Sequence, residues 1–236
     1  MKNCGGEFKR GACNFESGQW RCPHCEPNET NFEVNVQTEL ESLNLSFDTK
    51  NRKIIKPFEL DFYIPKYNLA IECNGDYWHS TLVKSSDKNY HLNKTIACEE
   101  NKIKLVHIFE NEWIYNKDIV ISRLKNLLGI YSNTAFARQC KIKEVDSNTS
   151  TMFQMQNHIQ GNINGKVNLG LFYENKLVSL MTFGKCRFDK KHEWEMLRFC
   201  NKLGWHIPGA AGKLLRYFER NWKPKSLVSY ADRRWS

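Results

Sequence analysis

Apolar and polar positions alternate twice in quick succession between residues 58 and 74 of this chain. Leu60, Phe62 and Ile64 fall on one parity, Glu59 and Asp61 on the other. After Pro65-Lys66-Tyr67-Asn68, the residues Leu69, Ile71 and Cys73 take one parity and Ala70, Glu72 and Asn74 the other. A period of two marks strands with one apolar face. The pattern therefore predicts a hairpin that brings Asp61, Glu72 and Asn74 onto one surface. A helical period appears over 32 to 43, with Val36, Leu40 and Leu43 inward, and again over 117 to 128. There Ile119, Val120, Leu124, Leu127 and Leu128 form a stripe that ends at Gly129. A further helix is expected over 88 to 101, followed by a buried strand over 104 to 109.

Beyond Ser132-Asn133-Thr134, a plausible boundary, the pattern starts afresh as a second α/β unit. It predicts a strand over 141 to 145, a helix over 149 to 159, and a hairpin of 167 to 173 with 177 to 183 turning at Glu174-Asn175. A strand over 194 to 200 comes next, then a Gly-rich loop opening a helix that runs to about 221, and a last strand over 227 to 231. The expected organisation is a head over 1 to 29, a first α/β domain over 30 to 134 and a second over 135 to 236.

Composition supports packed cores. Of 236 residues, 41% are hydrophobic and 13% aromatic, which excludes global disorder. No apolar run approaches the ~20 residues of a bilayer span, so no membrane is expected as a partner. The polar N-terminus, with its Gly and Cys, does not read as a secretory signal. An intracellular, cytoplasmic protein is the expectation. Up to Thr134 there are 17 Lys and Arg against 18 Asp and Glu, and from Ala135 onward 18 against 8, so the whole +9 excess sits in the C-terminal part. Such an excess attracts polyanions and makes their binding salt-dependent.

The candidate chemistry lies where charge interrupts the apolar strands. An unpaired buried carboxylate costs several kcal/mol unless a cation or substrate uses it, and two carboxylates on one sheet face suit a Mg²⁺ or Mn²⁺ ion that keeps several waters. Nine cysteines without a secretory signal point to thiols and metal rather than a disulfide framework. Cys22-Pro23-His24-Cys25 is a good half of a structural zinc site, and Cys4 and Cys13 are candidates for the other half, with His24 as an alternative ligand.

Asp61 and Glu72 on adjacent strands resemble the metal-binding pair of the PD-(D/E)XK nucleases, in which a Lys usually stands two residues after the Glu. Here that position is Asn74. Very-short-patch-repair endonucleases and the EDxHD phage homing endonucleases lack that Lys and place a His after the second strand. This chain resembles that branch through Glu33, Asp61, Asn74-Gly75-Asp76-Tyr77-Trp78-His79, Tyr90-His91-Leu92-Asn93-Lys94 and the strand ending at Phe109-Glu110, with Trp113 beyond. The resemblance implies a restriction-endonuclease-like mixed β-sheet core flanked by helices, cutting double-stranded DNA with Mg²⁺ or Mn²⁺. Asp61, Glu72 and the Cys73 carbonyl would hold the ion. His79 would move protons, Glu33 would orient water or a second ion, Asn74 would stand at the water-addressing position, and His91 and Lys94 would contact phosphate. For His91 and His107 a packing role is the stronger expectation. The family often opens with Cys-x-x-Cys-Gly-x-x-Phe. Cys4-Gly5-Gly6-Glu7-Phe8 fits its second half, while the first cysteine would fall on Met1.

From about Gln139 the order of elements resembles the acyl-CoA N-acyltransferase fold, in particular phage Mom-like proteins, cut short at Ser236. The resemblance implies a partial acyltransferase-like domain with a CoA-type loop at Gly209, Ala210, Ala211 and Gly212, although acetyl-CoA itself is not expected as a cofactor. Arg216, Arg220, Arg233 and Arg234, with Lys94, are the expected DNA contacts. Together the two resemblances imply a phage-encoded endonuclease acting in a bacterial host, as a monomer that nicks or a homodimer that cuts both strands. A Mom-like DNA-modifying acyltransferase and a catalytically dead DNA-binding protein are the competing readings.

Overall fold

The computed structural model describes residues 31–75, 90–189 and 191–235. Cys4, Cys13, Cys22 and Cys25, expected in a zinc-ribbon head, with His24, and His79, expected to carry protons, lie outside the described residues. The chain is mixed α/β and divides into two compact units after Glu110. The helix expected over 117 to 128 falls in the second of them. Among the described residues no helix is long and apolar enough to cross a membrane.

The first unit contains α1 (Asn31–Ser42), β1 (Asp48–Asn51), β2 (Leu60–Ile64), β3 (Leu69–Asn74), α2 (Tyr90–Glu100) and β4 (Lys104–Phe109). Its four strands lie in the order β1-β2-β3-β4, the first three antiparallel to their neighbours and β4 parallel to β3. The β2–β3 turn is a short 3-10 segment, Pro65–Tyr67, closed by Asn68 in the left-handed region at φ 46°. Pro fits the first position because its missing N–H costs nothing there, and Asn tolerates positive φ better than most residues. On α1, Phe32, Val36 and Leu40 recur at four-residue spacing and are buried. Ile55, Leu60, Ala70, Cys98, Ile103 and Leu105 form the core under α2. The stripe that α2 turns inward is Lys94 and Cys98.

The second unit opens with α3 (Glu110–Leu127), whose helical path is interrupted at Asn116, φ −134°. It continues with β5 (Asn133–Thr134), β6 (Lys141–Glu144), α4 (Ser147–Asn157), β7 (Val167–Tyr173), β8 (Lys176–Lys185), β9 (Trp194–Asn201), β10 (Trp205–His206), α5 (Ala210–Trp222) and β11 (Leu227–Ser229). Five strands form one sheet in the order β11-β9-β8-β7-β6, with only β11 parallel to its neighbour, and β5 and β10 make a small parallel pair. Glu174 and Asn175, both at positive φ, make the two-residue turn between β7 and β8. Successive residues of β8 face opposite ways. Met181 joins the core with Leu214 and Phe218 of α5, while Leu180 joins Phe153 of α4. Phe183 stacks on Phe218 at 3.7 Å between ring centroids.

Candidate active site

The register of the first sheet gathers its polar residues. β2 and β3 pair Phe62 with Ile71 and Tyr63 with Ala70, so one step further Asp61 stands opposite Glu72. β3 and β4 in turn pair Glu72 with His107 and Asn74 with Phe109. Asp61, Glu72, Asn74 and His107 thus occupy neighbouring positions on three adjacent strands. This is the surface that the alternation of apolar residues predicts.

Glu72 is only 8% exposed, and the ammonium that meets it comes from α2: Lys94 Nζ donates to Glu72 Oε2. Lys94 itself is 1% exposed. The expected contact between Lys94 and phosphate at the DNA surface is therefore not what this arrangement provides, because the cation is turned inside against a carboxylate. Asp61 is held from the other side, its Oδ2 accepting the Cys73 N–H at 2.8 Å. Lys50 of β1 contributes a cation near Asp61, and Glu33 and Gln37 of α1 line a small cleft with Asp61, Thr49 and Lys50. Glu33 and Asp61 therefore face the same cleft.

The two carboxyls share one electrostatic character. Burial pushes the Asp61 carboxyl above its ordinary value, against the Cys73 N–H and Lys94, which lower it. Burial also raises Glu72, to about 7, and the neighbouring Asp61 adds to the rise while Lys94 opposes it. Two carboxylates beside one ammonium leave an excess of negative charge in a desolvated place. The Cys73 thiol is pushed well up by burial and then by Asp61, Glu33 and Glu72.

Asn74 faces a different partner. Its Nδ2 donates to His107 Nδ1 at 3.1 Å, while His107 Nε2 lies 3.2 Å from Thr95 Oγ1. The Thr95 hydroxyl proton goes to the His91 carbonyl at 2.7 Å, so Thr95 accepts and the His107 proton sits on Nε2. His91 packs edge-on against His107 at 5.3 Å between ring centroids. Asn74, 1% exposed, is thus tied into a buried histidine network. His91 and His107 take packing positions, as expected for both.

Two hard carboxylates from paired strands are a donor set that Mg²⁺ accepts, with waters and the Cys73 carbonyl as the remaining ligands. Among the described residues no group of three or more His, Cys, Asp and Glu side chains is arranged to hold a metal.

In the second unit the predicted DNA contacts separate. Arg234 is committed to carboxylates: its two terminal nitrogens reach Glu112 at 3.0 and 2.9 Å, and Asp232 receives it at 2.6 Å. That pairing removes it from the free cations available to phosphate. Arg233 is exposed, and Arg216 and Arg220 are exposed on α5. Gly209, at φ 81°, caps α5, and Ala210, Ala211 and Gly212 form its first turn. Sequence reasoning missed the Lys94 pairing with Glu72 and the Arg138 and Phe136 wall that faces α5. The first had a signal, since Lys94 lies one turn from Cys98 on the inward stripe.

No family model matches the chain, and no curated protein matches it. Among solved structures, the catalytic domain of the homing endonuclease I-Bth0305I is similar to part of the chain. The match is 23% identical with a TM-score of 0.36, and covers 43% of this chain and 96% of that domain.

Proposed function

We propose that this chain is a divalent-metal-dependent DNA endonuclease of the phage homing type, and that its phosphodiester-cutting site is the Asp61, Glu72 and Lys94 cluster. The observation that carries the reading is Glu72: a nearly buried carboxyl, opposite a second carboxyl, whose own cation does not bring it back to an ordinary value. A structural ion pair has no need of the second carboxylate. A cation site does, because a divalent ion relieves the desolvation and the repulsion together.

In this reading Asp61 and Glu72, with the Cys73 carbonyl, hold Mg²⁺ or Mn²⁺. When bound, the ion neutralises charge on the scissile phosphate and makes bound water more acidic. Lys94 Nζ keeps Glu72 Oε2 oriented and holds a positive charge beside the place where negative charge grows. Glu33 orients water from the α1 side. His79 carries the proton between water and leaving oxygen, a task suited to an imidazole near neutral pH. The zinc ribbon of Cys4, Cys13, Cys22 and Cys25 belongs to the same proposal, as does a grip on double-stranded DNA by the basic second unit.

Nicking of supercoiled plasmid in Mg²⁺ tests this. Asp61→Asn, Glu72→Gln and His79→Ala should each abolish it while leaving DNA binding intact. Unchanged nicking in Asp61→Asn and Glu72→Gln would overturn the site. Salt-sensitive binding with no cleavage in any divalent ion would make the chain a DNA-binding protein instead.

A further inference from the structure

On the second unit, one face of α5 and the segment just before β6 enclose an open cleft of about 700 Å³. Lys213, Arg216, Tyr217 and Arg220 line it from α5 at spacings of three, four and seven residues, which places them in a single stripe. Phe136 and Arg138 line the facing wall. Four cations and two aromatic rings meet here, and no carboxylate is among the described residues of the lining.

The members of this set do different things. Lys213 is structural, its Nζ donating to the Ala137 and Cys140 carbonyls at 2.9 and 2.6 Å, so it locks the facing wall to α5. Arg216 donates from its Nε to the Gly212 carbonyl at 3.0 Å, one turn back on the same helix. Arg138 stands 5.0 Å from the centre of the Phe136 ring. Phe136 is 46% exposed and Tyr217 36%, an unusual investment of aromatic surface in solvent between arginines. Arg216 and Arg220 are one helical turn apart, about 6 Å along the axis.

We propose that this cleft binds a single strand of nucleic acid, with successive phosphates on Arg216, Arg220 and Arg138 and a base stacked on Tyr217 or Phe136. Cations that track a backbone, interleaved with aromatic faces, form the sequence-tolerant platform of single-strand binding. The volume accommodates a nucleotide or two. A duplex, with its bases already stacked, neither enters such a cleft nor offers a base to the rings. The inference rests on the endonuclease reading and deepens it by assigning the second unit an unpaired strand of the substrate. Its test runs in EDTA, without cleavage, so that it succeeds or fails apart from the carboxylate site.

Fluorescence anisotropy of the full chain with a labelled oligothymidylate, in EDTA, provides the measurement. Tyr217→Ala should weaken binding about tenfold or more, and Tyr217→Phe should restore it. Arg216→Ala and Arg220→Ala should each lower the slope of log affinity against log salt by about 0.7. The exposed hairpin variant Lys176→Ala should leave binding unchanged. Equal loss in Lys176→Ala and Arg220→Ala would overturn the cleft in favour of diffuse attraction. Duplex bound as tightly as the single strand, with no loss in Tyr217→Ala, would overturn the strand assignment, as would displacement by a free nucleotide at the same concentration as the oligomer.

Discussion

Among the described residues each unit buries one glutamate, and the two are treated in opposite ways. Glu195 of β9 is 1% exposed, yet its carboxyl is held below the ordinary value, first by the hydrogen bonds of the Arg187 guanidinium and also by the Arg187 backbone N–H at 2.9 Å. Glu72 is 8% exposed and its carboxyl is raised to about 7. Burial alone does not decide the sign. Donor number and a second carboxylate do: Glu195 collects a fork of donors from Arg187, while Glu72 has one ammonium and Asp61 opposite. The first is a satisfied structural carboxylate. The second is the one to which the proposed reading assigns a further cation.

The largest effect expected from this contrast is on stability. Lys94→Met leaves Glu72 buried and unpaired, and should cost about 3–5 kcal/mol in denaturant titration. Adding Glu72→Gln should recover most of that, because the charge that needed Lys94 is then gone. If the double variant is no more stable than Lys94→Met, Lys94 acts by packing and not by charge.

The pH dependence should differ in sign between the two glutamates. A carboxyl raised from 4.5 to about 7 on folding binds more protons in the native state across that window, so its contribution weakens as pH rises from about 4.5 to about 7. The Glu195 contribution runs the other way, present above its ordinary value and lost as pH falls through its lowered one. Unfolding free energies of Glu72→Gln should therefore lose the decline toward neutral pH, and those of Glu195→Gln the decline toward acid. Parallel profiles would erase the distinction.

A smaller effect is expected one position along β3. Asn74→Ala removes the donor to His107 Nδ1 inside a closed network and should cost about 1–2 kcal/mol. Plasmid nicking by the folded protein should persist. Loss of nicking at unchanged stability would restore Asn74 to the water-addressing role that its sequence position suggests.

Much of this was legible in the chain. The alternation through Leu60, Phe62 and Ile64 and through Leu69, Ile71 and Cys73 set the β2–β3 register, because a slip of one residue would exchange the carboxylate-bearing and aliphatic faces of a strand. The Glu174-Asn175 turn was equally plain. β1 was not, since Asp-Thr-Lys-Asn is an exposed polar edge strand with no pattern to reveal it. The start of α3 at Glu110 was hidden by Asn116, whose non-helical backbone separates the first turns from the stretch that carries the apolar stripe. The Lys94 pairing was missed for a physical reason as well. Lysine is seldom buried, so a lysine on a helix reads as a surface cation until the carboxylate that draws it inward is seen across the sheet. The cleft beside α5 needed three-dimensional folding to appear, because Phe136 and Arg138 are far in sequence from the stripe they face.

Binding of Mn²⁺ to the full chain, followed by its electron paramagnetic resonance signal, tests the claim that Asp61 and Glu72 form a divalent-ion site most directly. The account predicts an ion that is lost in Asp61→Asn and in Glu72→Gln, and that binds more tightly as pH rises through about 7, where Glu72 gives up its proton. Binding that is unchanged in both variants and flat across that pH range would contradict it.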